Sequence, residues 1–215
     1  MKLRELNIIV CIKQVPSTTE IKIDPETGTL IREGVESTVN PFDLYAIEEG
    51  VRLKERYGAK VTAISMGPPQ AEAALREALA LGCDDAVLLT DKAFAGADTL
   101  ATAYTLSRGI RKIGSYDLVI CGMKTTDGDT GQVGPGLAEE LGIPYVGYVR
   151  KILSVNEDSI TLERSLEDGY ERVESSMPCL ITVTKEINEP RLPSFRRKLM
   201  AKRATITLSL IHISE

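Results

Sequence analysis

The stretch from Cys121 to Gly142 reads CGMKTTDGDTGQVGPGLAEELG and concentrates residue types that can hold a polar ligand. Glycines at 128, 131 and 134 let a backbone approach a ligand closely and adopt positive φ. The amides of Gly131, Gln132, Val133 and Gly134 would open a helix. There the first N–H groups lack partners, and the dipole favours an anion by about 0.3–1 kcal/mol. Thr130 and Gln132 add side-chain hydrogen bonds. Asp127 and Asp129 would repel a bare phosphate at short range, yet they suit ribose hydroxyls, the amide edge of a base, or a helix cap. The segment lacks GxxxxGK[ST], which disfavours ATP hydrolysis. As a calcium loop it starts D-x-D, but it has Gly131 at the fifth position and Ala138 where the twelfth needs Glu. On these residues alone a nucleotide site and an ordinary strand-to-helix turn both stand, with a metal loop behind them.

The remaining reactive side chains narrow the chemistry. The single histidine, His212, lies in the tail, which argues against a histidine acid–base or triad mechanism. Cys11, Cys83, Cys121 and Cys179 are far apart, without metal-type spacing, and read as buried thiols. A net charge of −5 disfavours nucleic acid as a partner, because neutralising phosphates needs a concentrated basic surface. No apolar run reaches the ~20 residues that span a bilayer, so no transmembrane segment is expected. The N-terminal apolar run is too short for a secretory signal, and a cytoplasmic protein is expected.

The elements that must position the site alternate. NIIVCI (7–12) reads as a buried strand, and IKIDPETGTLI (21–31) as a small hairpin around its Asp-Pro and Thr-Gly pairs. NPFDLYAIEEGVRLKERYG (40–58) is a helix that Asn40 can cap, with Pro41 in its first turn, Gly58 at its end, and an Asn40/Asp43 spacing like a capping box. Strands at 60–66, 85–90 and 117–122 are followed by helices at 68–82, 97–114 and 131–142. That alternation predicts an α/β fold: a doubly wound, Rossmann-like parallel sheet with helices on both faces. After Pro144, YVGYVRKILSV, SITLERSLEDGYERVESS and PCLITVT read as antiparallel additions flanking the sheet. In open α/β sheets ligands collect beyond the carboxyl ends of the strands, where the glycine-rich stretch falls.

Several segments, taken in order, resemble the beta (small) subunit of electron-transfer flavoproteins. They are IIVCIKQVP, STVNPFDLYAIEEGVRLKE, AISMGPPQAEAALREALALGCDDAVLL, DLVICGMKTTDGDTGQVGPGLAEELGIP, LERSLEDGYERVESSMPCLITV and NEPRLPSFRRKLMAKR, and together they span nearly all of residues 7–205. The resemblance implies an adenine-nucleotide-binding fold of the universal-stress and adenosine-hydrolase type. It also implies a heterodimer with an alpha subunit whose own FAD passes electrons between a dehydrogenase, acyl-CoA or other, and an acceptor. Respiratory members hold structural AMP in the beta subunit; electron-bifurcating members hold a second FAD there, which takes hydride from NADH. The wording TDGDTGQVGP resembles the bifurcating branch, so FAD is the expected ligand and AMP the alternative. A stand-alone universal-stress-like nucleotide binder is the alternative from another class.

Carried over by position, the pocket comprises Cys11, Lys13, Asn40, Phe42, Asp43, Met66 and Gly67. It continues from Gly122 through Gly134, with Thr125, Thr126, Asp127, Gly128, Asp129, Thr130, Gly131, Gln132 and Val133 as named contributors. Asn40 also reads as a simple cap, Phe42 and Met66 as core, and Lys13 as a solvated cation. Residues 1–190 form the expected nucleotide domain. RLPSFRRKLMAKR, with six cations and no acid, reads as a protruding basic recognition loop within 191–207, presenting Phe195, Arg196, Arg197 and Leu199 to a partner. A solvated basic loop is the plainer reading. The ending LSLIHISE (208–215) matches one frame of a common transposon sequencing adapter and is expected to be artefact, with a short terminal strand as the rival. Relatives of this type are expected to continue into an arm that wraps the alpha subunit.

Overall fold

The structure, a computed structural model, describes residues 6–17 and 37–209. The hairpin expected at 21–31 lies outside them. In chain order the elements begin with β1 (Asn7–Cys11), β2 (Gln14–Pro16), β3 (Ser37–Val39), α1 (Pro41–Tyr57) and β4 (Lys60–Met66). They continue with α2 (Glu72–Leu81), β5 (Asp85–Leu89), α3 (Thr99–Ile113), β6 (Leu118–Gly122) and α4 (Val133–Leu141). The last are β7 (Tyr145–Val155), β8 (Ser159–Leu166), β9 (Gly169–Ser176), β10 (Cys179–Val183), α5 (Phe195–Arg203) and β11 (Thr207–Ser209). Nine strands form one sheet in the order β11-β5-β4-β1-β6-β10-β7-β8-β9, while β2 and β3 pair separately.

Alternation along the strands builds two cores. Ile8 and Val10 of β1, Val61 and Ala63 of β4, and Leu118 and Ile120 of β6 face α1 and α2, against Ile47, Val51, Leu75 and Ala78. Ile9, Cys11, Ile64, Val119 and Cys121 face the other way, against Leu106 and Ile110 of α3 and Leu137 and Leu141 of α4. The two faces are thus sealed by different helix pairs, as a doubly wound sheet requires. Each fully buried Ile or Leu contributes about 1.5–3 kcal/mol relative to exposure.

Two expectations need correction. PCLITVT is not an antiparallel addition: β10 runs parallel to both β6 and β7 and lies between them. Its five residues are all buried, a continuous apolar run that marks an interior parallel strand. Antiparallel pairing in this sheet is confined to β7–β8 and β8–β9, and two register shifts bend β7 where it meets β8. Val155, Ile160 and Leu162 from this bent ribbon join the core on the α1 face.

The basic segment is a helix, not a loop. The Ser194 side chain accepts from the Arg197 amide at its start, and Arg76 of α2 donates to the carbonyls of Ala201 (2.7 Å), Lys202 (3.1 Å) and Ala204 (3.2 Å) at its end. Arg191 fixes the approach to α5 through two-pronged bonds to Glu48 and Glu55 on α1. At the tail, β11 pairs parallel with β5. The rest of the segment expected to be artefact, 210–215, lies outside the described residues.

Candidate functional site

Strand β1 leads through α1 to β4 on one side, and β6 lies on its other side, so the sheet changes winding direction between β1 and β6. Such a switch point leaves a crevice at the carboxyl ends, the usual ligand position of this architecture. Cys11 ends β1 and is the Cα partner of Cys121, one residue before the end of β6. Lys13 follows β1, the loop 123–132 follows β6, and the N-terminus of α1 closes in beside both.

Asn40 knits these pieces together. It was expected to cap α1, and it does occupy the cap position, but its side chain turns away from the helix amides. Its Nδ2 donates to Asp43 Oδ1 (2.9 Å) and to the Lys124 carbonyl (2.9 Å), while its Oδ1 accepts from the Thr126 amide (3.2 Å). The capping-box geometry is therefore replaced. The Asp43 carboxylate accepts from the Asn40 side chain and, at 2.7 Å, from the Lys13 amide, and the Asn40 amide itself donates to the Lys13 carbonyl at 2.8 Å. Both side chains are buried, at 0% and 5% exposure, so water competes little for their polar atoms. Burial pushes the Asp43 carboxyl up to about 7, against the lowering effect of bonds from Asn40 and the Lys13 and Gly122 amides.

Above this clamp the loop is solvent-facing and held by two ion pairs. Lys13 Nζ meets Asp127 Oδ2 at 2.6 Å and Lys124 Nζ meets Asp129 Oδ1 at 2.7 Å. Burial raises the Asp127 carboxyl, but the bonds from Lys13 and Thr125 outweigh it and hold the group below its usual range. Asp129 has φ of 52° and Gly131 of 62°, left-handed values that Asp tolerates and Gly adopts freely. The Asp129 amide donates to the Thr125 carbonyl at 3.0 Å, which tightens the turn. Among the described residues no side chain caps the first turn of α4, and Thr126 through Thr130 and Gln132 are exposed. The corner thus offers amides, hydroxyls, two cations and two carboxylates to solvent.

Most of the expected pocket converges here. Cys11, Lys13, Asn40, Phe42 and Asp43 surround the start of the loop, with Phe42 5.7 Å from the Lys124 ammonium. Gly122 allows the approach of α1, since its Cβ would lie 2.9 Å from the Phe42 carbonyl oxygen. Gly134 sits against Thr182, whose hydroxyl also bonds Tyr145 (3.1 Å) and the Tyr148 amide (3.2 Å). Met66 and Gly67 lie one strand away, where Met66 packs with the α3–α4 core and the Gly67 amide donates to the Leu89 carbonyl at 3.0 Å. Lys124 fell inside the expected run with no role assigned; the signal was a second cation beside two aspartates. Thr182 gave no signal, being one hydroxyl in an apolar strand.

The four cysteines are buried thiols, as expected. Cys121 is raised by its hydrogen bond with Cys11 and then by burial. Among the described residues no cluster of His, Cys, Asp or Glu is arranged to hold a metal, and no helix is long and apolar enough to cross a membrane. A separate shallow cleft of about 340 Å³ lies between residues 93–97 and α3, apart from this network. On α5, Phe195 is 84% exposed, and Leu199 and Arg196 also face solvent, whereas the Arg197 guanidinium donates to the Leu81 carbonyl at 3.4 Å.

Residues 27–209 match the family described as the electron transfer flavoprotein domain. The chain is 59% identical over 191 residues to the electron transfer flavoprotein subunit beta of Thermoanaerobacterium thermosaccharolyticum, covering 89% of this chain and 73% of that protein. It is 57% identical over 192 residues to the protein of the same name from Clostridium acetobutylicum, with the same two shares. It is also 48% identical over 204 residues to the caffeyl-CoA reductase-Etf complex subunit CarD of Acetobacterium woodii, covering 94% of this chain and 78% of that one. The family match over residues 27–209, with relatives named electron transfer flavoprotein subunit beta at 59% and 57% identity, places the chain in the electron transfer flavoprotein family, among its beta subunits.

Proposed function

We propose that the chain transfers electrons as the beta subunit of a heterodimer and binds FAD at the β1/β6 corner. A second FAD, in the alpha subunit, would carry electrons onward between a dehydrogenase and its acceptor. The carrying observation is the Asn40–Asp43–Lys13–Lys124 clamp, which presents an uncapped helix start and an exposed polar loop at the switch point. These residues fit an adenylate-bearing dinucleotide. The α4 amides and the Lys13 and Lys124 ammoniums match phosphate oxygens, and Asp127, Asp129 and Thr130 match ribose hydroxyls. The TDGDTGQVGP wording favours FAD and the bifurcating, NADH-oxidising branch over structural AMP.

When bound, the flavin supplies the hydride and electron chemistry, so this chain needs no nucleophile. Its residues bind and orient. The clamp fixes the loop against α1, and Lys13 and Lys124 set the local charge. The exposed face of α5 offers an apolar anchor at Phe195 and Leu199 within a basic field, suited to docking an acidic dehydrogenase surface. The name of the Acetobacterium woodii relative places that protein in a complex with caffeyl-CoA reductase, in keeping with a reductase or dehydrogenase partner.

The deciding experiment co-expresses the chain with an alpha subunit and counts nucleotides in the purified complex. Two FAD per heterodimer, with NADH bleaching the flavin absorption, is the expected result. One FAD plus one AMP overturns the bifurcating assignment and leaves the respiratory reading. A colourless self-associating protein with no alpha-subunit affinity overturns the electron-transfer reading itself.

A further inference from the structure

The pairing of β10 with β7 is interrupted at the carboxyl end of β10. Ile181 pairs with Val146 and Val183 with Val149, so Gly147 and Tyr148 together oppose the single residue Thr182. That is a β-bulge, a feature that re-aims a side chain and is rare between parallel strands. Tyr148 takes its strained position, with a φ of 59° that a bulky residue seldom adopts. The Thr182 hydroxyl holds it there, accepting from the Tyr148 amide at 3.2 Å and bonding the Tyr145 hydroxyl at 3.1 Å.

The bulge lies against the start of α4. A Cβ on Gly134, in the first turn of α4, would lie 2.5 Å from Thr182 Cγ2 and 3.8 Å from Tyr145 Cε2. The Tyr145 ring folds back over the bulge, since a Cβ on Gly147 would lie 2.6 Å from its hydroxyl oxygen. Thr182 is buried, whereas Tyr148 is 48% exposed, so a buried hydroxyl fixes the backbone from which an exposed ring projects. In sheet order β10 and β7 follow β6 on the side away from β1. Lys13 and the bulge thus lie on opposite sides of β6, the strand whose loop leads into α4.

We propose that Tyr148 is a specificity-determining residue of the nucleotide site, a stacking wall for the part of a flavin dinucleotide that AMP lacks, and that Thr182 is the positioning residue that aims it. This rests on the nucleotide-binding reading above. A phosphate held between Lys13 and the α4 amides leaves the adenylate on the β1 side. The second half of a dinucleotide, its ribityl chain and isoalloxazine, then continues past the α4 start toward β10 and β7. There the flat ring meets an exposed aromatic face, and offset stacking is the arrangement that two such π-systems favour. A mononucleotide ends at its phosphate and does not reach the bulge. The amides of α4 serve a phosphate of either ligand; the bulge serves only the longer one.

The test is equilibrium titration of the nucleotide-stripped chain with FAD and, separately, AMP. Tyr148→Asn removes the ring and accepts the left-handed backbone. It is expected to bind FAD roughly tenfold more weakly than wild type and AMP equally well, while Tyr148→Phe keeps wild-type affinity for both. Thr182→Val, which keeps the shape and loses the hydroxyl, is expected to show the same FAD-selective loss, and Thr182→Ser to bind FAD as wild type does. Unchanged FAD affinity in Y148N, or equal losses for FAD and AMP, overturns the role of Tyr148 and leaves the nucleotide site intact. Wild-type protein that takes AMP and refuses FAD overturns it as well. T182V matching wild type overturns the role of Thr182. No binding of either nucleotide overturns the site itself. Should T182V not fold, T182S decides for Thr182, since an FAD-selective loss with the hydroxyl still in place contradicts its role.

Discussion

Gly122 leaves no room for a side chain: a Cβ there would lie 2.8 Å from the Phe42 carbonyl carbon and would also collide with Asp43 Oδ1. The neighbours are helix backbone and a buried carboxylate held by three donors, none of which can move cheaply. Gly122→Ala should therefore destabilise by about 1–3 kcal/mol and loosen the clamp, read as a lower denaturant midpoint together with reduced nucleotide retention. If the midpoint stays put, the close packing of α1 on the end of β6 is wrong. In the sequence this glycine was legible as part of a ligand loop, but not as the seat of a helix. Local spacing suggested that Asn40 and Asp43 would serve the amides of α1. The Lys124 carbonyl and Thr126 amide, more than eighty positions away, won the Asn40 side chain instead, and no local pattern encodes that contact.

Helix α1 has a second function on its outer face, as the anchor for the segment that carries α5. Arg191 bonds Glu48 at 2.7 Å and Glu55 at 2.6 Å, and Asn188 bonds Glu49 and the Tyr45 carbonyl, each at 3.0 Å. Burial raises Glu48, but the bonds from Arg191 and Arg52 outweigh it and keep its carboxyl below the usual range. A depressed carboxyl contributes stability above its unfolded pKa and loses it as pH falls through the folded value. Arg191→Ala should cost about 1–3 kcal/mol at neutral pH, since Arg52 still faces Glu48, and the deficit should shrink in acid. Melting curves of wild type and variant across the acid range give both numbers, and an equal deficit at every pH would rule the ion pair out as the cause. The alternation of strands and helices up to Leu141 was readable because each element carries its own period and punctuation. Beyond it, β10 was misread because an apolar run of five states that a strand is buried but not which neighbours bury it. The basic run was taken for a loop because its charges hid a Ser194 cap and a seat on α2.

At the scale of the whole molecule, the corner proposed for the nucleotide and the α5 face proposed for docking lie on different elements, so the two proposed roles can be tested apart. Replacing Phe195 by Ala and Arg196 by Glu should leave folding and nucleotide content unchanged. Electron exchange with an acidic dehydrogenase should slow roughly tenfold at low salt, with the difference narrowing as salt rises. Stopped-flow rates at several ionic strengths would show it, and salt-independent rates equal to wild type would remove α5 from the encounter surface. Arg197 is a poorer choice, because its bond to Leu81 makes it part of the α2–α5 contact. The placement of β10 between β6 and β7 has a further consequence for how the chain comes together. Until residues 179–183 leave the ribosome, β6 and β7 each have an open side. The ribbon β7–β8–β9 has no strand joining it to the rest of the sheet. The late strand acts as a zipper between a five-stranded half, whose outermost member β11 arrives later still, and a three-stranded one. The two parts therefore cannot join through this sheet until residues 179–183 are available.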